Sequence, residues 1–501
     1  MRAKLLTVSV ETCLRAALWT VLLAVVAYTR TDPDLWGHVR FGLDILRDGM
    51  LQRADPYSFT SDREWVNHEW GAEVLSGAAF AVSGSAGLVG LKLIVIGATL
   101  LLLNRALRRD GILSGRGRDW IAALAVITTV QQAHHVRPQI FSLLLFTLLL
   151  GCLLSSTRPG RRRGLLLVPF LFAVWANFHG GWIVGGGVLV LWVAGTVLGE
   201  STDRLRAAVV LLAIGAASLL ATLANPYGLG LWRFLWETVG LSRADIVDWQ
   251  PVYALDPSVW GLWILTASLA TLGFVRGRRS LQLTRTIIVV TLAIGSFFVN
   301  RLLGFFALST AMLFGAALIG TTAAAAKPAR PASRGNRLVA LAISSVMIIG
   351  GLIAIAVSVA CIRIDPRTAP EAEAVNVLKH QRGGNRLLVW FDWGEYAIWH
   401  LAPSMRVSTD GRRETVYSAS LQNRHLRFFF DAPGGADLVR EIGADYVWIP
   451  ATVPAARRLR SDGWNALYEG QTSVIFERPG IGSSAVMPLP TAPELRCFPG
   501  P

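Results

Sequence analysis

Long apolar runs dominate the chain, and many of them are too long and too uncharged for the interior of a soluble domain. They predict eleven apolar helices that are joined by short polar loops. Some are short for a membrane span of about 20 residues, so these helices must tilt or extend further. The predicted helices lie at residues 10–28, 86–104, 119–133, 138–155, 164–178, 180–198, 207–224, 258–275, 286–299, 302–320 and 338–361.

The first long loop contains two shorter helical patterns. Residues 70–84 are apolar, and His38–Gly49 places Val39, Leu43 and Leu46 on one face. If residues 70–84 crossed the membrane, every later loop would change sides. We therefore predict an interfacial or re-entrant helix there, and a second helix along the membrane surface at His38–Gly49.

A different pattern begins after residue 361. Short strand-like runs alternate with helical patterns, which is typical of a small α/β domain of about 130 residues. The Pro-rich end, 480–501, has no such pattern, so we expect it to be loose. The predicted strands are Arg386–Phe391, Met405–Thr409, Asp445–Ile449 and Ser473–Phe476, and the predicted helices are Gly394–Leu401, Asp437–Ile442 and Val453–Asp462.

Composition agrees with a membrane protein. Hydrophobic residues make up 53% of the chain, charged residues 16%, and the mean hydropathy is +0.47, whereas soluble domains are about 25% charged. The predicted fold class is an α-helical polytopic membrane protein with a small C-terminal α/β extracytoplasmic domain. Residues 1–361 would form the transmembrane domain, with a first outer loop at 30–70, and residues 362–501 the outer domain. We interpret the apolar N-terminus as an uncleaved first span.

The net charge of +15 is concentrated on one side of the predicted membrane. The candidate inner segments hold 22 Lys and Arg but four Asp and Glu, whereas the outer loops 30–70 and 225–257 hold seven Arg and 12 acids. The tail, 362–501, is nearly balanced, with 16 basic and 15 acidic residues. This is the positive-inside pattern, and it argues against nucleic acid as a partner.

Four cysteines do not predict a disulfide framework or a metal site. Cys361 and Cys497 could pair in an oxidising compartment, but two unpaired thiols are the simpler expectation.

Polar residues collect at the predicted outer ends of the helices. Because polar groups at membrane depth are costly, their collection predicts a cavity open to the outside and to the outer leaflet. Helix capping and snorkelling remain the alternative explanation. The residues concerned are Asp32, Asp34, His38, Asp55, His68, Glu69, His134, His135, Arg137, Asn177, His179, Asn225, Tyr227, Asn300 and Arg301.

The acid pair Asp32-Pro33-Asp34 directly follows the first predicted span. Two carboxylates on a rigid turn can act as a base, orient a hydroxyl group or bind a divalent cation such as Mg²⁺ or Mn²⁺. Asp32 and Asp34 are therefore candidate metal ligands, and no other cofactor is expected. Alternatively, one of them caps the helix that starts near Leu35. The sequence has no phosphate-binding loop, no dinucleotide fingerprint and no zinc-protease motif.

Two segments resemble the GT-C glycosyltransferases, which use polyprenyl-phosphate-linked sugars. From Thr31 to Phe59 the chain reads TDPDLWGHVRFGLDILRDGMLQRADPYSF, which looks like the first outer loop of that superfamily. Trp390-Phe391-Asp392-Trp393-Gly394 is similar to the WWDYG motif of oligosaccharyltransferase catalytic subunits, and Thr409-Asp410-Gly411-Arg412 follows it. The resemblance is closest to those subunits.

The resemblance implies roles for several residues. Asp34 would be the main catalytic carboxylate with Asp32 beside it, and Trp390, Asp392 and Trp393 would hold the acceptor. Alternatively, Asp392 caps a helix on which the two tryptophans pack. Topology and charge suggest donor-phosphate contacts, and the remaining polar residues of the first loop are candidate pocket residues. The phosphate candidates are Arg137, Arg301 and His179, and the pocket candidates are His38, His68 and Glu69.

The expected function is transfer of a sugar from a polyprenyl-phosphate donor to an extracytoplasmic lipid, glycan or protein, with an Asp of the first outer loop as base. The expected partners are this donor, membrane lipids and the acceptor. The expected location is a bacterial inner membrane with the C-terminal domain outside. A transporter or flippase of lipid-linked sugars and a non-catalytic glycan-binding assembly factor remain the alternatives.

Overall fold

The computed structural model describes most of the chain. The described residues are 10–112, 115–157, 162–198, 204–239, 246–278, 282–319, 334–365, 369–482 and 496–501.

Helices account for most of the described chain before residue 361. Each of the eleven predicted apolar helices overlaps one of them, so their positions are confirmed. The predicted helix at 164–178 is the most changed, because a 3₁₀ turn at Arg162–Leu167 precedes a short helix that has proline in its first turn. The helices are α1 Val10–Ala27, α2 Leu35–Asp48, α3 Trp70–Arg109, α4 Gly115–Ala133, α5 Gln139–Ser156, α6 Val168–Trp175, α7 Trp182–Leu198, α8 Arg204–Ala221, α9 Leu229–Val239, α10 Pro257–Gly277, α11 Leu283–Phe298, α12 Leu303–Ile319 and α13 Arg334–Ala360.

Six helices in the described part of the chain are long and apolar enough to cross a membrane. Four shorter apolar helices accompany them, at Arg163–Trp175, Trp182–Leu198, Leu205–Ala221 and Leu283–Phe298. The fold is therefore that of a polytopic helical membrane protein, while the number of eleven spans stays a prediction.

The helix α3 has a sharp break that separates the two segments predicted at 70–84 and 86–104. Ser83 leaves the helical conformation, and Gly84 adopts a positive φ of 59°, a region that favours glycine because it has no Cβ. A methyl group on Gly87 would approach the carbonyl oxygen of Ala79 to 1.9 Å. Glycine is thus required on both sides of the turn.

The short helix predicted at His38–Gly49 is confirmed as α2, while its place along the membrane surface stays a prediction. It ends at Gly49, whose φ of 67° is left-handed and whose N–H donates to the carbonyl of Ile45 at 2.9 Å. This is the usual glycine termination of a helix.

The chain forms two compact units. The first contains residues 1–29, 89–228 and 242–360, and the second contains residues 30–88, 229–241 and 361–501. The second unit therefore combines the first loop of the chain with its tail.

In the first unit, α12 is the central helix. It packs against α4, α10 and α11, and residues 303–315 are all buried. A helix that is apolar on every side is stable only when neighbours surround it, which explains this position.

In the second unit, residues after 369 form a five-stranded sheet with helices, as the alternating pattern predicted. The strand order is β2-β1-β3-β5-β4; the first three strands are parallel, and β5 and β4 are antiparallel to their neighbours. The elements are α14 Ala372–Lys379, β1 Arg386–Val389, α15 Gly394–Leu401, β2 Arg406–Val407, α16 Ala419–Phe429, α17 Leu438–Glu441, β3 Tyr446–Pro450, α18 Pro454–Ser461, β4 Asn465–Glu469 and β5 Ser473–Glu477.

One strand and two helices of the tail were not predicted: β4, α14 and α16. The strand β4 lies at the edge of the sheet and buries two of its five residues, in the pattern exposed-exposed-buried-buried-exposed. This pattern lacks the alternation by which a strand is recognised in a sequence.

The expectation of two unpaired thiols is wrong, because Cys361 and Cys497 form a disulfide across 136 residues. Backbone pairing brings the two cysteines together: Phe498 N–H donates to Ile362 at 2.9 Å, and Ile364 N–H donates to Arg496 at 3.0 Å. The sequence could not show this proximity because it depends on the folded tail. Cys13 and Cys152 are not in a disulfide.

The expectation of a loose C-terminus is also wrong for residues 496–501. The Phe498 side chain is buried against the rings of Trp36, Phe80 and Trp399. The indole N–H of Trp36 donates to the carbonyl of Pro499 at 2.8 Å. Most of the Pro-rich segment, 483–495, lies outside the described residues.

Replacing Cys361 and Cys497 together by serine should lower the unfolding temperature of the purified protein. A loop of this length gives about 4–5 kcal/mol in the chain-entropy model of disulfide stabilisation. Thermal unfolding in detergent, with and without reductant, measures the effect. Reductant should lower the unfolding temperature of the wild type and of Cys13→Ser equally and leave that of the double variant unchanged. If all three proteins unfold at the same temperature with and without reductant, the prediction is contradicted.

Candidate functional site

The two carboxylates of the turn before α2, Asp32 and Asp34, have different environments. Asp32 is buried, and its Oδ1 accepts the Asp34 backbone N–H at 3.0 Å. Asp34 is the cap residue of α2, but within the described structure its side chain makes no capping hydrogen bond. The capping explanation therefore does not account for the Asp34 carboxylate.

The Asp34 carboxylate lies beside Gly411 and Glu395. A methyl group on Gly411 would be 2.4 Å from Asp34 Oδ1 and 2.7 Å from Glu395 Oε1. Both carboxyl groups thus approach the same point, and only glycine leaves space for them.

Glu395 is a buried acid at the start of α15. Its Oε2 accepts the Gly37 backbone N–H at 3.0 Å. Burial and then the negative charges of Asp34 and Asp410 raise the pKa of Glu395 well above its usual value. The environment favours a protonated Glu395 next to Asp34.

A second acid of this region is paired with an imidazole. Glu73 is buried, lies 3.4 Å from His38 Nδ1 and accepts from the Asn67 amide at 2.5 Å. Burial alone would lower the pKa of His38, but the Glu73 hydrogen bond and the charges of Glu69, Glu73 and Asp34 raise it to about 9. His38 is therefore positively charged at neutral pH.

The predicted pocket residues His68 and Glu69 also lie in this unit. His68 Nε2 is 3.7 Å from Glu69 Oε1, and the His68 ring lies 5.5 Å from that of Phe234 in α9. The two predicted pocket histidines, His38 and His68, thus each contact an acid, and Glu69 is the acid that His68 contacts.

Arg412 binds two buried carboxylates at once. It donates to both oxygens of Asp55 at 2.7 and 2.9 Å, and to both oxygens of Asp410 at 2.9 and 2.8 Å. Tyr417 adds a hydrogen bond to Asp410 at 2.6 Å. Burial would raise the pKa of Asp410, but the charge of Arg412 and its hydrogen bonds lower it below the usual value.

Three aromatic rings enclose the Arg412 guanidinium. The ring centroids of Phe41, Tyr57 and Trp65 lie 5.1, 5.2 and 4.7 Å from its central carbon. Such cation–π contacts are strongest where water is excluded. They fix Arg412, and Gly411, which faces Asp34, is the adjacent residue.

The Trp390–Gly394 motif follows β1 in a 3₁₀ turn and leads into α15. Trp393 is buried against Trp448, with ring centroids 5.8 Å apart, and Trp390 packs against Phe429 at 4.9 Å. Asp392 lies in the turn but is not the cap residue of α15. Packing against other aromatic rings therefore explains much of why both tryptophans are present. The acceptor role of Trp390, Asp392 and Trp393 stays a prediction.

The predicted phosphate ligands lie in the first unit, and the structure brings two of them together. Arg301 Nη2 is 2.7 Å from His179 Nε2, and the guanidinium lies over the ring of Trp249 at 5.7 Å. Because arginine only donates hydrogen bonds, Nε2 is the acceptor in this contact. The third residue, Arg137, instead pairs with Asp248 at 3.2 Å.

A short hydrogen-bond chain holds the His179 ring. Ser142 Oγ is 2.7 Å from Nδ1, and the indole N–H of Trp175 donates to Ser142 Oγ at 2.7 Å. Arg301 has no carboxylate partner among the described residues. A fixed guanidinium without a counter-ion is suited to an anion.

The residues around Asp34 do not form a metal site of the usual kind. Within the described ranges, no three His, Cys, Asp or Glu side chains are grouped so that they could hold a metal ion. Asp55 and Asp410 are committed to Arg412, and Glu73 contacts His38. Metal binding by Asp32 and Asp34 stays a prediction, and we assign no chemical step to a metal.

Glu395 and Glu73 are the site residues that the sequence analysis missed. Glu395 directly follows the aromatic motif, at the start of a predicted helix, and an acid at that position suggests only favourable helix-dipole placement. Asp410 and Arg412 were noticed as a segment but received no role. The pairing of Arg412 with Asp55 links positions 357 residues apart, a distance that local sequence patterns do not cover.

Replacing Arg412 by methionine should destabilise the protein by about 3–5 kcal/mol, because it leaves two buried carboxylates without a counter-charge. The matched control is Arg460→Met, which breaks an exposed pair with Glu469 and should cost less than about 1 kcal/mol. Denaturant unfolding in detergent measures both. Equal losses in the two variants would show that the buried pairs do not stabilise the fold.

Comparison with protein-family models and with curated protein sequences gives no match. Solved structures, in contrast, share the fold. The oligosaccharyltransferase of Archaeoglobus fulgidus in the apo form is 12% identical, with a TM-score of 0.56, over 90% of this chain and 70% of that chain. The same archaeal protein, AglB, in complex with an inhibitory peptide and a dolichol-phosphate also gives a TM-score of 0.56 at 12% identity, over 87% and 69% of the two chains.

ArnT from Cupriavidus metallidurans is similar over nearly its whole length. Its apo structure is 13% identical, with a TM-score of 0.56, over 94% of this chain and 98% of that chain. Its complex with undecaprenyl phosphate gives a TM-score of 0.55 at 13% identity, over 95% and 99%. The chain thus shares its fold with the archaeal oligosaccharyltransferase and with ArnT, in agreement with the resemblance of its first loop and its aromatic motif to oligosaccharyltransferase subunits.

Proposed function

We propose that this protein is a membrane glycosyltransferase that moves a sugar from a polyprenyl-phosphate donor to an extracytoplasmic lipid, glycan or protein. The observation that carries the proposal is the Asp34 carboxylate, which does not cap α2 and instead faces Glu395 and Gly411. The fold supports the donor class, because ArnT has been solved with undecaprenyl phosphate and AglB with dolichol-phosphate.

Asp34 acts as the general base in this proposal. It takes the proton of the acceptor hydroxyl or amide as that group attacks the anomeric carbon. The bond between this carbon and the phosphate oxygen breaks, and the polyprenyl phosphate leaves with the electron pair. Protonated Glu395 adds no second negative charge beside Asp34, which keeps the base available.

Arg301 and His179 receive the donor phosphate. The guanidinium offers parallel N–H donors to phosphate oxygens and stabilises the charge that develops on the leaving group. His179 orients Arg301 through the 2.7 Å contact, and Ser142 and Trp175 orient His179. Arg137, which pairs with Asp248, is the third proposed phosphate contact.

The acceptor contacts the motif after β1 through Asp392 and the exposed part of Trp390, while buried Trp393 supports the turn from within. The Cys361–Cys497 disulfide supports an oxidising compartment for the tail, since disulfides persist outside the cytosol. We therefore place the tail on the outer side of a bacterial inner membrane.

Asp34→Asn should reduce sugar transfer by about 10²–10⁴-fold, the usual contribution of a general base. The assay follows a radiolabelled polyprenyl-phosphate sugar in membranes that contain the purified protein. The matched control is Asp48→Asn at the exposed end of the same helix, where the carboxylate contacts Arg47; it should transfer normally.

Circular dichroism and thermal unfolding should show that both aspartate variants fold, because neither side chain caps α2. Unchanged transfer by Asp34→Asn would remove Asp34 from the reaction. If neither variant nor wild type transfers sugar but each moves the lipid across the bilayer, the flippase alternative is favoured.

Arg301→Gln should weaken binding of undecaprenyl phosphate by about 10–100-fold, because a hydrogen bond to a charged group is worth about 1.5–3 kcal/mol. Binding of undecaprenol, which has no phosphate, should be unaffected. Arg233→Gln, which removes an exposed arginine paired with Glu237, is the control. If Arg301→Gln and Arg233→Gln bind undecaprenyl phosphate equally well, the phosphate site lies elsewhere.

A further inference from the structure

A cavity of about 240 Å³ lies in the first unit, where the C-terminal ends of α3 and α5 meet the 3₁₀ turn before α6. One part of its lining is basic, with Arg105 and Arg109 of α3. Leu102, Leu148, Leu154 and Leu167 form an apolar wall. None of these residues belongs to the site around Asp34 or to the Arg301–His179 pair.

Within the described part of the chain, the two arginines have no counter-charge. Arg105 and Arg109 lie one helical turn apart, and neither makes an ion pair or hydrogen bond with a described residue. Asp110, the one acid among the described lining residues, is already bound by Arg285 at 2.8 and 2.9 Å. Like charges spaced by four residues on a helix repel each other, so a bound anion would stabilise this end of α3.

The combination of charge and leucine wall selects an amphiphile rather than a small ion. A free phosphate would use the arginines but leave the leucine side chains in contact with water. A phospholipid satisfies both, because its phosphate meets the guanidinium groups while its glycerol and first methylene groups pack on the leucines.

We propose that this cavity binds the headgroup of an anionic phospholipid. The charge pattern of the loops assigns 104–118 and 158–163 to the inner side of the membrane, so the lipid comes from the inner leaflet. Basic pockets between membrane helices on that side are known to hold anionic headgroups. The lipid is a bound structural partner, and it is independent of the sugar donor and of the proposed reaction.

The first test compares lipid binding by variants in which arginines of the last turns of α3 are replaced. Native mass spectrometry titrates phosphatidylglycerol onto the full-length protein in detergent, with phosphatidylcholine as the neutral reference. Arg105→Gln with Arg109→Gln should weaken phosphatidylglycerol binding about 10–30-fold, since each basic residue near the membrane surface contributes about 1 kcal/mol. Arg108→Gln, in the same turn but outside the lining, should bind like the wild type.

The second test uses the wild-type protein and so does not depend on how a variant folds. Cys152 lines the cavity and Cys13 does not, so the two thiols provide a signal and its internal control. Phosphatidylglycerol vesicles should slow maleimide labelling of Cys152 several-fold relative to phosphatidylcholine vesicles and leave the rate at Cys13 unchanged.

Three outcomes would overturn the proposal. Equal protection of Cys152 by both lipids would show that the headgroup charge is not recognised. Equal protection by inorganic phosphate would make this a free-phosphate site. Equal binding by the Arg105/Arg109 double variant and Arg108→Gln would show that these arginines do not form the site.

Discussion

Arg412 is the residue on which the arrangement of the second unit depends. Its buried guanidinium contacts two carboxylates, those of Asp55 and Asp410, and three aromatic rings. Neither carboxylate could stay buried and ionised without it. Since Asp55 belongs to the first loop and Asp410 to the tail, the charge pairing is also what sets Gly411 beside Asp34 and Glu395.

The two groups of candidate residues show opposite electrostatic designs. Around Asp34, acidic side chains outnumber basic ones. Burial and these negative charges raise the pKa of Glu395, and against the effect of burial the acids also raise the pKa of His38, which favours a charged His38 and a protonated Glu395. At Arg301 the positive charge meets the imidazole of His179 and an aromatic face. The first design suits removal of a proton, and the second suits reception of an anion. A transfer from a lipid phosphate to a nucleophile needs both.

The sequence predicted those features that repeat locally. Apolar length and the one-sided charges located the helices, and alternation located four of the five strands, because each follows from the preference of neighbouring side chains for water or for the interior. Asp34 could be chosen because it follows a span. Glu395, Glu73 and the disulfide could not, since their importance comes from partners far along the chain that only folding brings near.

The contact between Trp36 and Pro499 joins residues 463 positions apart. The ribosome makes Trp36 before Pro499, so the first loop lacks this partner until the tail has been made. Until then the indole of Trp36 and the ring that will meet it have no cover. Folding therefore requires that this aromatic surface be shielded until the tail is made.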